Sequence, residues 1–190
     1  QHLFVVPVQA GVATAEPKDV TPGDRDAVPT SSTFSAGDEF DFSPDGRELA
    51  YTATPVPVRE EAWSTNHDLY AVNLETGERR QLTTNPGADG LPRYSPDGRF
   101  IAYRAQSRNG YESDRWQLML LERATGQIRS LTASFDSWVE ALVWMPDGRS
   151  VCFEAEDKGH KPIWSVSIEG GPVKRLFDRG VNGELSVSRS

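Results

Sequence analysis

Phe42-Ser43-Pro44-Asp45-Gly46, Tyr94-Ser95-Pro96-Asp97-Gly98 and Trp144-Met145-Pro146-Asp147-Gly148 are three copies of one pattern: an aromatic residue, a variable one, then Pro-Asp-Gly. They recur at spacings of 52 and 50 residues, a period that marks repeated sheet units and is too long for helical solenoids. Pro presets φ for the first corner of a type I turn, Asp suits the second, and Gly takes the left-handed residue of a three-residue hairpin loop with a bulge. Each copy is therefore expected to join two antiparallel strands.

The residues after each turn repeat in phase. Leu49-Ala50-Tyr51-Thr52-Ala53, Ile101-Ala102-Tyr103-Arg104-Ala105 and Val151-Cys152-Phe153-Glu154-Ala155 set a branched residue, a small one and an aromatic in the same order, which predicts a second strand. A third strand is expected over residues 68–74, 117–123 and 162–168, ending at Glu75-Thr76-Gly77, Ala124-Thr125-Gly126 or Glu169-Gly170-Gly171. A short polar strand then closes each unit on Leu82-Thr83, Leu131-Thr132 or Leu176-Phe177. Four antiparallel strands in a repeat of about 40–50 residues describe one blade of a β-propeller, whose first strand lines the central channel and whose fourth lies outside. The fold class is all-β, a propeller segment of four-stranded antiparallel blades.

The repeat sets the domain organisation. Residues 1–35 read as the end of one blade, 36–84, 85–133 and 134–178 as three complete ones, and 179–190 as the start of another. Within the first segment, His2-Leu3-Phe4-Val5-Val6-Pro7-Val8 matches a third strand, Ala10-Gly11 its turn and Asp19-Val20-Thr21 a fourth-strand ending. Leu185-Ser186-Val187-Ser188-Arg189-Ser190 reads as a further inner strand. Both ends are thus expected to fall inside repeats. An open arc of blades would expose apolar faces, so association into homo-oligomers through the terminal blades is expected.

Composition fits a soluble domain: 37% hydrophobic and 25% charged residues over 190 positions. The net charge of −8 offers no basic stripe to displace counterions from phosphates, which argues against nucleic acid as a partner. No apolar run is long enough to span a bilayer. Cys152, alone of its kind, stands where the other units carry Ala50 and Ala102 and reads as a small packing residue. The recurring aromatics Phe40, Phe42, Tyr51, Tyr94, Tyr103, Trp144 and Phe153 read as core and inter-blade packing.

Loop lengths point to one face. Residues 54–67 separate the second and third strands of the first full unit, and Pro55-Val56-Pro57 predicts that this stretch is neither helix nor central sheet. Its counterparts are residues 106–116 and the shorter 156–161. In a four-stranded blade these loops open on the same face as the connections to the next blade, which makes that mouth the expected functional face. Arg108, Arg115 and Trp116 flank the second loop, and the arginines are expected to pair with Asp114 and Glu112. The histidines, His2, His67 and His160, are scattered, with no activated nucleophile beside them and no metal-ligand spacing. No catalytic residue, metal site or cofactor is expected in this stretch.

The Ser-Pro-Asp-Gly units, the Leu-Thr strand ends, Glu61-Ala62-Trp63-Ser64-Thr65-Asn66, Asn85-Pro86-Gly87-Ala88-Asp89-Gly90 and Tyr103-Arg104-Ala105-Gln106 together resemble the N-terminal propeller of the prolyl oligopeptidase family of serine peptidases. The branch resembled is that of acylaminoacyl peptidases and dipeptidyl peptidase V-like enzymes. The repeat itself is shared with TolB-like propellers. The resemblance implies a following α/β-hydrolase domain that carries the Ser, Asp and His triad; no Gly-x-Ser-x-Gly elbow occurs within these residues. It implies that this propeller gates access of peptide substrates to that domain, in an enzyme that releases acylated residues, N-terminal residues or dipeptides. Glu60 and Glu61, followed by Trp63, would then hold the substrate's terminal ammonium: two carboxylates accept the cation and an indole walls it. The residues also admit a solvated acidic pair with Trp63 packing the loop. The alternative for the whole chain is a TolB-like protein-interaction propeller with no catalytic domain. Bacterial relatives of the resembled family occupy both periplasm and cytoplasm, so location stays open.

Overall fold

The computed structural model describes residues 1–27 and 38–188. The expected boundary between residues 35 and 36, and positions 189 and 190 of the expected last strand, lie outside the described residues.

Two short antiparallel ladders open the chain. β1 (Phe4–Val5) pairs with β4 (Lys18–Asp19), and between them β2 (Val8–Gln9) pairs with β3 (Val12–Ala13). The single strand expected over residues 2–8 is interrupted, because Pro7 has no N–H to give to a ladder; its carbonyl still accepts from the Thr14 amide at 2.9 Å. Ala10 and Gly11 form the tip at φ of 49° and 79°.

Three four-stranded antiparallel meanders come next. The first runs β5 (Phe40–Phe42), β6 (Glu48–Ala53), β7 (Asp68–Asn73), β8 (Arg79–Gln81). The second runs β9 (Asp89–Tyr94), β10 (Phe100–Ala105), β11 (Gln117–Glu122), β12 (Ile128–Ser130). The third runs β13 (Leu142–Trp144), β14 (Ser150–Glu154), β15 (Ile163–Ser167), β16 (Lys174–Phe177). Each Pro-Asp-Gly sits at the tight turn from first to second strand, with Gly46, Gly98 and Gly148 at φ of 70°, 70° and 67°. In the first two copies the serine hydroxyl donates to the Asp carboxylate at 2.6 Å and accepts the amide of the residue that starts the second strand, Glu48 or Phe100, at 2.9 Å. The third copy carries Met145 at that place and keeps only the Arg149 amide on Asp147, at 2.9 Å.

The Leu-Thr pairs have a different role from the one expected. The outer strands β8 and β12 stop just before them, and each pair instead clamps the start of the third strand. The Thr83 hydroxyl accepts the Leu69 amide at 2.9 Å and Thr132 accepts that of Leu118 at 2.8 Å, while the Leu82 and Leu131 amides donate to the Leu69 and Leu118 carbonyls. Thr21 takes the Leu3 amide at 2.8 Å in the same way, so the opening ladders are built as the outer half of a blade.

The core lies between sheets. One cluster joins the opening ladders to the first meander through Val20, Leu49, Tyr51 and Val72. A second joins the first and second meanders through Leu69, Tyr94, Ile101 and Tyr103, and a third joins the second and third through Leu118, Trp144, Val151 and Phe153. Tyr94 donates its hydroxyl to Glu48, and Trp144 donates its indole N–H to the Arg93 carbonyl at 2.9 Å; both reach back to the preceding sheet. Phe42, at the matching place, is 44% exposed and departs from the expected packing, since the opening ladders set no inner strand beside it. Cys152 is buried as a packing residue. Residues 185–188 form no strand; the preceding stretch is tied down by a bridge from Lys161 to Val181 and by Asn182, whose side chain donates to the Lys161 carbonyl at 2.7 Å, and among the described residues no following strand is there to pair with them.

The 54–67 loop also departs from expectation, for a 3-10 helix spans Val58–Trp63. Pro57, at φ −60° and ψ 151°, ends the extended run and starts the helix, with the Glu60 amide donating to the Pro57 carbonyl at 2.8 Å. Proline is well suited to this position because its fixed φ needs no adjustment at a helix start. Glu60 and Glu61 in the first turn complement the positive end of the helix.

The Leu-Thr clamp is testable. Thr83→Val keeps the shape but strands the buried Leu69 amide, at a cost of about 1–3 kcal/mol. The midpoint of urea unfolding should fall with an unchanged slope, and the exposed Thr125→Val should leave it in place.

Candidate functional site

The mouth of the segment is built where second strands end, third strands begin and one sheet connects to the next. Its most constrained part joins the first and second meanders. Glu39, 4% exposed, takes the Thr52 hydroxyl at 2.7 Å and the Leu91 amide at 2.6 Å on the same carboxylate oxygen. Its other oxygen lies 3.8 Å from the Arg104 guanidinium, which is itself 4% exposed and stacks 4.3 Å from the centre of the Trp116 ring. Two backbone features accommodate this carboxylate. A Cβ on Gly90 would stand 2.8 Å from it, and Leu91 holds φ of 58°, a left-handed conformation that costs a branched residue about 1–2 kcal/mol. The β9–β10 register shifts there, between Ala102 and Arg104, as a bulge that turns the strand entrance toward the Glu39 carboxylate.

Beside this hub lies a cavity of about 170 Å³. Ser64, Thr65, His67, Ala88, Gln106, Glu112 and Trp116 line it; Ala88 and Trp116 are buried and Glu112 is exposed. The walls are braced. Gln106 donates its side-chain N–H groups to the Glu112 and Asp114 carbonyls at 3.0 and 2.8 Å, and the Thr65 hydroxyl accepts the Gly110 amide at 3.1 Å, tying the two long loops together. Gly87 allows the close approach, because a Cβ there would lie 2.3 Å from the Gln106 carbonyl oxygen. Burial lowers the His67 pKa below the ordinary histidine value, against the opposing pull of Glu39 and Glu61, so the ring is neutral at pH 7. A larger hollow of about 850 Å³ lies between the opening ladders and the first meander, bounded by Thr21, Tyr51 and Tyr70 and reaching Ala27.

Glu60 and Glu61 lie in the 3-10 helix but face different partners. Glu60 is exposed, with its carboxylate 3.3 Å from Arg59. Glu61 accepts the Thr54 hydroxyl at 2.9 Å and the Asp26 amide at 3.4 Å, and so fastens the helix to its sheet and to the opening segment. The Trp63 ring is 89% exposed and packs on nothing among the described residues. Arg115 donates to the Ala133 carbonyl at 3.0 Å and to that of Phe135, pinning the next connection; Arg108 lies 5.4 Å from the Tyr111 ring. The expected pairing of these arginines with Asp114 and Glu112 is replaced: Asp114 accepts the backbone amides of Ser107 and Arg108 at 2.8 and 2.9 Å, folding its loop locally. His2 is held by Asp19 at 2.7 Å and by the Gly23 carbonyl. Glu39 carries no motif that marks it as a site residue in the sequence, and Arg104 stands out only as part of the Tyr103-Arg104-Ala105-Gln106 run. The local signal for Glu39 is Gly90, whose missing side chain makes room for the carboxylate.

Deeper, Asp68 and Asp89 are 2% and 0% exposed. Asp68 accepts Gln81 at 2.9 Å and Asp89 accepts Asn85, yet one oxygen of each has no partner among the described residues. Burial pushes the Asp68 pKa up to about 6 and that of Asp89 well above the usual range, with Asp68 adding to the latter. Among the described residues no three His, Cys, Asp or Glu groups converge as metal ligands, and no nucleophile is paired with a base.

A family model for the TolB β-propeller domain matches residues 39–189, and the chain belongs to that family. It is similar to dipeptidyl-peptidase 5 of Porphyromonas gingivalis, 30% identical over 176 residues, a match that covers 92% of this chain and 25% of that protein. The chain thus spans about a quarter of that relative's length. Among solved structures, TolB from Acinetobacter baumannii superposes with a TM-score of 0.61 at 23% identity, over 86% of this chain and 36% of that one. A dipeptidyl aminopeptidase IV-type protein from Bacteroides ovatus gives 0.60 at 17% identity, over 84% and 30%. These two likenesses show the fold.

Because the Asp68 pKa is raised in the folded protein, the native state binds the proton more tightly than the unfolded chain does, and stability is lost as pH rises from about 4 through about 6. Asp68→Asn keeps an acceptor for Gln81 and carries no charge. Its Tm should exceed that of the wild type at pH 7.5 and converge with it toward pH 4.

Proposed function

We propose that this chain is the propeller portion of a serine peptidase that removes dipeptides from free amino termini, and that its mouth admits and orients the peptide. The likeness to dipeptidyl-peptidase 5 over nearly the whole chain carries this reading. An α/β-hydrolase domain, for which these 190 residues supply no elbow or triad, would perform the chemistry. The propeller would exclude folded proteins by the width of its mouth and supply contacts at the amino-terminal end of the substrate.

In this reading the exposed Glu60 exchanges its Arg59 contact for the terminal ammonium, and the exposed Trp63 provides an apolar wall. Glu61 acts indirectly, by fixing the helix that presents them. Release of acylated residues is the variant the sequence also admits, and it would need no cation acceptor. A TolB-like interaction propeller is the second reading, favoured by the family match itself.

Glu60→Gln in the full-length protein decides among these. Removal of a half-exposed, charge-assisted contact should lower kcat/KM for dipeptide amides with a free amino terminus by about tenfold, leaving N-acetylated substrates unchanged. Equal losses on both would assign Glu60 to docking of the catalytic part. Activity on acetylated substrates alone would establish the acyl-releasing variant, and no hydrolysis of either would favour the interaction propeller.

A further inference from the structure

We infer that the cavity between the Ser64–His67 stretch, Ala88, Gln106 and Trp116 is a substrate subsite for one neutral, benzene-sized side chain of a peptide. This rests on the peptidase reading and adds a second contact, separate from the ammonium contact assigned to Glu60.

Size, wall chemistry and charge each restrict the occupant. A volume of about 170 Å³ is that of a cavity able to take one benzene-sized group. Two of its lining residues, Trp116 and Ala88, are buried and apolar, and such surfaces gain most from apolar contact. Charged occupants are disfavoured in both signs. Glu112 on the lining, with Glu39 and Glu61 near His67, repels a carboxylate, while Glu39 and Glu61 are already engaged with Thr52, Leu91 and Arg104 and with Thr54 and Asp26 and offer a cation no free acceptor. The Arg104 guanidinium already lies 4.3 Å from the Trp116 ring centre, which spends the ring's attraction for a cation and sets a positive charge beside the site. The walls need no rearrangement to receive a ligand: the Gln106 and Thr65 hydrogen bonds, the close packing at Gly87 and the Glu39–Arg104 hub fix them in advance.

The bond to be cut must lie on the catalytic part, outside this chain. In a dipeptide substrate the side chain that reaches this cavity is therefore the amino-terminal one.

The test is a set of fluorogenic dipeptide amides with Gly, Leu, Phe, Glu or Lys at the amino-terminal position, cleaved by the full-length protein. Leu and Phe should exceed Gly in kcat/KM by about ten- to a hundredfold, with Glu and Lys near Gly. Ala88→Leu and Ser64→Leu each put a larger side chain on the cavity lining; in either variant that keeps a wild-type Tm, the preference for Leu and Phe should fall to within about threefold of Gly. Equal rates across the series in the wild type would overturn the subsite, as would an unchanged preference in a folded variant. A wild type that cleaves none of the five removes the peptidase reading and this subsite with it. A wild type that cleaves all five alike removes the subsite and leaves the peptidase reading standing.

Discussion

Every sheet here is too small to bury its own faces, and that constraint organises the molecule. Strands of two to six residues give a sheet with two faces and little interior. Stability must then come from laying each twisted sheet on its neighbour, as in other repeat architectures, where each unit contacts only the next. The three hydrophobic clusters fall at the three junctions between successive sheets. Tyr94 and Trp144 do more than fill space, because each also hydrogen-bonds the sheet before it and so fixes the angle of the stack.

The same constraint creates the mouth. Sheets that splay from a common inner edge leave their loops on one side, and polar groups at the splay must be satisfied across the gap. Glu39 does this between the first and second meanders by serving Thr52 within its own sheet and Leu91 in the next. A buried carboxylate is costly unless it is paired and hydrogen-bonded, and the left-handed Leu91 and bare Gly90 are the backbone adjustments that let this one be both. Trp116 is then held by Arg104 from behind, which leaves the neighbouring cavity with a firm wall.

Much of the fold is legible because it is written in local chemistry. Pro, Asp and Gly dictate a turn whatever surrounds them, and the pattern after each turn dictates a strand, so the second strands are expected within about one residue of where they lie. Local rules also have a limit. Leu82-Thr83 reads as strand by propensity, yet the threonine hydroxyl replaces the next ladder bond, a choice made by an amide on another strand. Pro55-Val56-Pro57 forbids a helix over itself but permits one directly after, and the 3-10 helix takes that opening. The mouth is legible as a face and not as a set of residues. Glu60, Glu61 and Trp63 stand out in sequence because they are adjacent, whereas Glu39, Arg104 and Trp116 come together only through pairing and stacking of sheets. Arg115 and Asp114 look like partners by proximity in sequence; backbone carbonyls and amides claim them instead.

The Pro-Asp-Gly turns also touch one another. A Cβ on Gly98 would lie 3.5 Å from the Pro44 ring, and one on Gly148 3.7 Å from the Pro96 ring, so the proline of each turn rests beside the glycine of the next. Each turn therefore carries both halves of a head-to-tail contact, an outgoing ring and an incoming bare backbone. A gene segment encoding one unit can be duplicated or deleted in tandem, and the new neighbours still fit at this edge, because every unit offers the same two surfaces. Heterologous contacts of this kind close into rings or run on, according to the rotation per unit. Ancestral changes in blade number would have needed adjustment of that rotation, with the turn chemistry left alone.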